Sequence, residues 1–286
     1  MRLPPRRILR RLGEQAPVYA ALLCLTIFIL IPFLWLLTST VRPVSELYVY
    51  PPRWIPETFT LLPYRKAFQT FAKPLINSAV YGLIVSLLTL VVASPAAYSL
   101  TRVNYPGKRT VTGLLLLTQM LPFVLLLLPL YITYLRLGLY NTRLGLIFGF
   151  TALTIPYSTL LLRSYFAGLP LELEEQAMID GCTRLGALWR VVLPLSTPVL
   201  VAVVLSSIVL VWNDVLFTIF LSKDLEIQTA SVALYRFFTV RSASGGVAQK
   251  EVMLAGGVLL TLPVVFLFTF LQKYIAAGVT AGALKG

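Results

Sequence analysis

Six apolar runs of membrane-crossing length divide this chain of 286 residues. They lie at about 17–38, 76–98, 110–134, 143–163, 196–221 and 253–272. A helix rises about 1.5 Å per residue, so about 20 apolar residues cross the hydrocarbon layer of a bilayer. Within that layer every backbone N–H and C=O needs a partner inside the protein, and a helix supplies one for each. The pattern predicts an all-α membrane protein with six transmembrane helices. Composition agrees. Hydrophobic residues make up 58% and charged residues 12%, against about 25% charged in a soluble domain.

Two basic segments orient the spans. Residues 1–16 form an arm with Arg2, Arg6, Arg7, Arg10 and Arg11, and the turn 99–109 carries Arg102, Lys108 and Arg109 without an acid. Basic short loops stay inside, so both segments, and with six spans both termini, are cytosolic. The whole-chain count is less decisive, with 13 Lys and Arg on inside segments and 11 outside. The first run is too long for the core of a cleaved signal and lacks a small-x-small site, so it reads as a retained anchor.

Several functions fall away. The net charge of +13 is scattered over loops and one arm, which suits anionic lipid rather than nucleic acid. There is no His, the commonest general base and metal ligand. Cys24 and Cys182 stand 158 positions apart, one in a span and one in a loop, and suggest neither disulfide nor zinc. No catalytic residue, bound metal or bound cofactor is expected. No Gly-x-x-x-x-Gly-Lys-Ser/Thr stretch occurs, so ATP is not bound here by that route.

A polar island at 168–198 separates the fourth and fifth runs. Four of the eleven acids fall within it: Glu172, Glu174, Glu175 and Asp180. Pro170 suits a first helical position, and the three glutamates lie near the positive end of the helix dipole. Gly181 interrupts the helix, Thr183 can cap a second one, and Pro194 ends it. This is a helix–turn–helix. Ala177 and Gly181 share one stripe, where small residues let another surface approach the backbone. Arg184 and Arg190 oppose the acids, and Leu185, Leu188 and Trp189 add apolar area. A docking element and a merely solvated amphipathic loop both fit these residues.

Two features inside the spans invite a function. Pro122 and Pro129 each free a backbone carbonyl in the third run, which reads as a kinked helix, either lining a path or simply bent. Trp212-Asn213-Asp214 puts an acid into the fifth run. At a span centre an acid costs roughly 2.5–3.5 kcal/mol. Asn213 and Asp214 therefore either face a translocation path or lock the fifth span to a neighbour, or else cap the helix at the interface beside an aromatic belt.

The spacing of the island carries a resemblance. Glu175-Gln176-Ala177, then Asp180-Gly181, then Val192-Leu193-Pro194 resembles the EAA motif of ABC-importer permeases, with Gln176 in place of its first Ala. The segment 52–61, Asn77-Ser78, Gly138-Leu139, Asn141-Thr142, Gly145-Leu146 and Trp212-Asn213-Asp214 look like the maltose-type permeases, in particular the second permease of such pairs. So does the tail from Gln272 to Gly286. The resemblance implies an ABC type I importer permease with a cytosolic coupling helix. Residues 1–16 are then the arm, 17–272 the six-span domain with coupling loop 168–195, and 273–286 a cytosolic tail. It implies that Glu174, Glu175, Ala177, Asp180, Gly181, Arg184, Leu193 and Pro194 dock on an ATPase. It also implies that Gly282, Lys285 and Gly286 enter the ATPase interface, although the tail's composition alone suggests a frayed end.

The implied partners are a second homologous permease, an ATP-binding cassette ATPase dimer holding ATP and Mg, an external substrate-binding protein and the lipid bilayer. The implied location is the prokaryotic plasma (inner) membrane. The implied cargo is a mono- or oligosaccharide, or a related polyol or glycerol phosphate, with Pro122, Asn213 and Asp214 on its path. A stand-alone secondary transporter is the alternative. It would need a coupling-ion site, for which Asp214 is the one candidate.

Overall fold

The structure, a computed structural model, describes the backbone of residues 5–243 and 249–283 and the side chains of 15–239 and 249–272. All regular elements among them are helical: α1 (Pro5–Thr40), α2 (Val44–Leu47), α3 (Leu62–Arg102), α4 (Lys108–Met120), α5 (Phe123–Arg136), α6 (Arg143–Ala167), α7 (Glu172–Ile179), α8 (Arg184–Ala187), α9 (Leu193–Leu195), α10 (Thr197–Asn213), α11 (Leu216–Leu221), α12 (Ala230–Ala243) and α13 (Lys250–Ala283). Four described helices are long and apolar enough to cross a membrane, and up to six if each of two bent pairs is one span. The bent pairs are α4 with α5, meeting at 102°, and Arg184–Leu195 with α10, meeting at 80°.

The first bend differs from a kinked single helix over 110–134. Pro122 has no N–H to continue α4 and disfavours helix at the residue before it. Leu121 is accordingly extended, at φ −72 and ψ 128. Pro129 behaves otherwise and lies within α5. Two further elements exceed the apolar runs. Helix α3 begins at Leu62, ahead of the run at 76, and α12 occupies a stretch where the apolar runs place no helix.

The described residues among 70–240 and 260–286 form one compact unit, and those among 1–69 and 241–259 form another. The larger has two apolar clusters. One gathers Tyr81, Val85, Leu127, Tyr134, Phe150, Val211 and Phe217 from α3, α5, α6, α10 and α11. Phe217 packs so close to α6 that Gly149 has no room for a Cβ. The other gathers Ala93, Ala97, Leu162, Phe166, Leu188 and Val192 beside the polar island. Hydroxyls bridge α3 and α6 between them, with Thr89 Oγ1 2.6 Å from Thr154 Oγ1. Such polar contacts join helices where burial of apolar surface offers no gain over lipid. The segment after α11 is held from several sides. Asn141 accepts from the amides of Lys223 and Asp224. Arg236 donates to the carbonyls of Ser222 and Lys223. Asn77 donates to Glu226 and Gln228, and Tyr81 to Ile227.

In the smaller unit the proline-rich stretch after α1 is braced by two charged side chains. Buried Arg42 donates to the carbonyls of Thr38, Arg53 and Trp54 and lies over the Trp35 ring, 5.2 Å from its centroid. Glu46 accepts from the Thr58 hydroxyl at 2.6 Å and from the amides of Glu57 and Thr58. The Thr58 hydroxyl foremost, helped by the two amides and the Arg42 charge, holds the Glu46 carboxyl below its usual range against some desolvation.

Candidate functional site

The polar island folds as a helix, a tight turn and a second helix. Helix α7 starts with Glu172, Glu174 and Glu175 in its first turn. No side chain caps it, and the acids sit in its first turn, at the positive end of the helix dipole. Pro170 lies just before the helix, with Leu171 in the N-cap position. The end of α7 is a Schellman turn. Gly181 N–H donates to Met178, Cys182 N–H donates to Ala177, and Gly181 takes φ +91. Only glycine takes that backbone without strain, and the two bonds satisfy carbonyls the helix leaves orphaned. Thr183 then caps α8, its hydroxyl accepting from Gly186 N–H at 3.1 Å.

Beyond α8 the chain widens into a π-turn over Leu188–Val192, where Leu193 N–H reaches back five residues to Leu188. Pro194 follows at once. It has no N–H to give and would crowd the carbonyl four residues earlier, so a widened turn accommodates it.

One acid of the island turns inward. Glu174 is 2% exposed. Its carboxylate accepts from Arg102 Nε at 2.7 Å and from the Tyr98 hydroxyl at 2.8 Å. Arg102 also donates to the Leu169 carbonyl at 2.8 Å. The end of α3 therefore grips both α7 and the stretch of chain that leads into it. Leu188, grouped by sequence with the apolar surface, is fully buried in the second core cluster.

What remains outward is a face of mixed character. Glu175, Asp180, Gly181, Arg184 and Pro194 are exposed, and Ala177 and Leu193 are half-buried. Ile179 is 85% exposed, and Leu185 and Trp189 are also exposed. A Cβ at Gly181 would meet nothing in this chain within 4 Å. Sequence patterning missed Ile179 because it reads as the apolar side of a short helix. Arg102 and Tyr98 escaped because their partner is more than 70 positions away.

A second site lies where two helices break. A cavity of about 470 Å³ is lined in part by Thr118 and Gln119 from α4, Phe123 from α5, and Asn213 and Asp214 at the end of α10. Leu121 borders it at the 102° bend, with Pro122 beside it. Asp214 is a helix cap. Its carboxylate accepts from Phe217 N–H, Thr218 N–H and the Thr218 hydroxyl at 3.2, 2.9 and 2.9 Å. Asn213 faces this cavity and a second one lined by Trp212, Ser231 and Leu260. No group of three or more His, Cys, Asp or Glu able to hold a metal occurs among the described residues.

Comparison with known proteins places this geometry. The family described as "Binding-protein-dependent transport system inner membrane component" matches residues 90–281, a segment that takes in the whole island and both helix breaks. The chain belongs to this family. Membership makes it a multi-pass membrane protein and a transport component rather than an enzyme.

The family's relatives align almost end to end. The trehalose transport system permease protein SugB of Mycobacterium tuberculosis is 32% identical over 96% of this chain and 99% of its own length. The sulfoquinovosyl glycerol transport system permease protein SmoH of Agrobacterium fabrum is 34% identical, over 90% of this chain and 89% of its own. The trehalose/maltose transport system permease protein MalG of Thermococcus litoralis is 30% identical over 98% of each. A solved bacterial ABC transporter involved in the import of the acidic polysaccharide alginate has a chain of the same fold. Its TM-score is 0.79 at 22% identity, covering 93% of this chain and 98% of that one. Of the three tail residues, Gly282 falls in the last turn of α13, while Lys285 and Gly286 lie outside the described residues.

Proposed function

We propose that this chain is one permease of a pair in an ATP-driven ABC importer, and that its cargo is a sugar delivered by an external binding protein. The observation that carries the reading is the outward face of the island. Ile179, Leu185 and Trp189 put apolar area on a loop rather than on a membrane-facing helix. Such area around a glycine turn suits a protein partner. The partner that fits is an ATPase of the cassette type, which binds the ATP and Mg that this chain has no motif to bind. The names of the relatives above, which carry trehalose, maltose or a sulfoquinovosyl glycoside, support a sugar.

On this reading the loop and both termini are cytosolic. ATP binding closes the ATPase dimer, and the docked loop moves with it. The Glu174–Arg102 pair ties α7 to α3, so the motion reaches a membrane helix directly rather than being lost in a soft connection. The two permeases rock about a shared path, and hydrolysis resets them. A secondary transporter would need a carboxylate free to take a coupling ion. Asp214 instead holds three donors of its own helix cap.

The test is to tag the chain at its N-terminus, extract it gently from native membrane and identify what co-purifies. An ATPase and a second permease are expected, and the assembly in liposomes takes up sugar only with ATP on the loop side. Recovery of this chain alone, transporting without ATP, would remove the importer reading.

A further inference from the structure

We propose that the turn between α3 and α4 is a binding site for one anionic phospholipid, of the phosphatidylglycerol kind, which it takes in preference to zwitterionic lipid. The turn joins two segments able to cross a membrane, Leu62–Arg102 and the bent pair that starts at Lys108, so it lies where spans meet water. A cavity of about 330 Å³ opens there, lined by Asn104, Tyr105, Gly107, Lys108, Arg109 and Thr110. A lipid site at this turn needs only that α4 enters the membrane, and it stands apart from the importer reading.

Charge selects the headgroup. Two of the lining residues are cations and none is an acid. The Lys108 ammonium is held in place, donating to the carbonyls of Val103 and Thr101 at 3.1 and 3.4 Å. It carries three N–H groups, so one remains for a ligand. The Arg109 side chain is exposed and makes no hydrogen bond or ion pair among the described residues. Its planar fork matches two oxygens of a phosphate. The first turn of α4 adds the amides of Arg109 and Thr110, which have no acceptor among the described residues. The Tyr105 hydroxyl and the Asn104 amide are equally unbonded there and can serve the hydroxyls of a glycerol headgroup. A choline or ethanolamine headgroup would instead bring its own cation against two others, with no carboxylate in the cavity to receive it.

An apolar strip selects a lipid over a free anion. Leu114 and Leu117 follow Thr110 at four and seven positions, on one face of α4, and both are exposed. An acyl chain can lie along that face while its phosphate stays at Lys108 and Arg109. Inorganic phosphate has nothing to place there. Each basic group close to an anionic membrane surface is worth about fivefold in affinity.

The experiment purifies the full chain with whatever subunits accompany it and strips bound lipid by detergent exchange. Phosphatidylglycerol, phosphatidylcholine and inorganic phosphate are then titrated in turn. Bound lipid is counted by native mass spectrometry, and the melting temperature is recorded alongside. Phosphatidylglycerol is expected to bind and to raise the melting temperature. Phosphatidylcholine and inorganic phosphate are expected to do neither. Arg109→Gln should weaken phosphatidylglycerol binding about fivefold. Arg109→Glu should weaken it further, and Arg109→Lys should keep most of it. Arg109 has no side-chain bond among the described residues to lose, so these variants leave the fold intact. Arg136→Gln removes another exposed arginine, from α5, and should change nothing.

Equal binding of phosphatidylglycerol and phosphatidylcholine, or phosphatidylglycerol binding untouched by Arg109→Glu, would overturn the site. So would inorganic phosphate raising the melting temperature as far as the lipid does. Release of a partner subunit by Arg109→Glu, with lipid binding unchanged, would assign the cluster to a protein contact instead. None of these readouts uses ATP or cargo, so the lipid site can fail while the importer reading stands.

Discussion

Arg102→Met should be among the most damaging single substitutions outside the apolar core. It leaves the Glu174 carboxylate buried at 2% exposure with only the Tyr98 hydroxyl for company. Removing one partner of a buried pair typically costs about 3–5 kcal/mol, because the remaining charge is uncompensated. Glu174→Gln keeps an acceptor for Arg102 but removes its countercharge, and Arg102 keeps slight solvent access and its bond to the Leu169 carbonyl, so the lower end of that range applies there. The double variant Arg102→Met with Glu174→Leu removes both charges and should regain most of the thermal stability. It should not regain coupling, because the tie between α3 and α7 is gone. Thermal unfolding in detergent and ATP-driven uptake, measured on all three, separate the two effects. Wild-type stability in Arg102→Met would show that the pair contributes nothing.

Gly181→Asp should uncouple ATP hydrolysis from transport while the membrane helices stay folded. Asp and Asn tolerate positive φ better than other non-glycine residues, so the turn at φ +91 survives the change. The new charge then stands on the outward face, where this chain places nothing within 4 Å and a partner is expected. Gly181→Val adds a backbone penalty of about 1–2 kcal/mol, since a branched side chain resists that conformation. The two variants should therefore share lost coupling and differ in melting temperature. Normal uptake by Gly181→Asp would mean that no surface approaches this turn.

Local grammar makes the island legible in the sequence. A cluster of acids, a glycine and a threonine predict a helix, a stop and a cap, and α7, the Schellman turn at Gly181 and the Thr183 cap follow that grammar. Each depends on residues within a few positions of one another. What the sequence hides is tertiary. Glu174 looks like any helix-leading acid until Arg102 and Tyr98 meet it from another helix. Leu188 and Ile179 look alike as apolar residues, yet one is buried and the other faces out. Pro122 and Pro129 have the same chemistry. One stands at a 102° break and the other stays in a helix, a difference that their shared chemistry does not mark in the sequence. Asp214 is readable as a polar group in a span. Its role as cap of α11 depends on the break after Asn213, which no local pattern marks.

The central claim is that the face around Gly181 meets an ATPase. A photo-crosslinking amino acid placed at Ile179, at Trp189 or at Ile55, each exposed in this chain, tests it in intact native membranes. The account predicts adducts containing ATPase peptides from positions 179 and 189 and none from 55, which lies in the stretch after α1. ATPase adducts from position 55, with none from 179 or 189, would contradict both the docking face and the orientation of the chain.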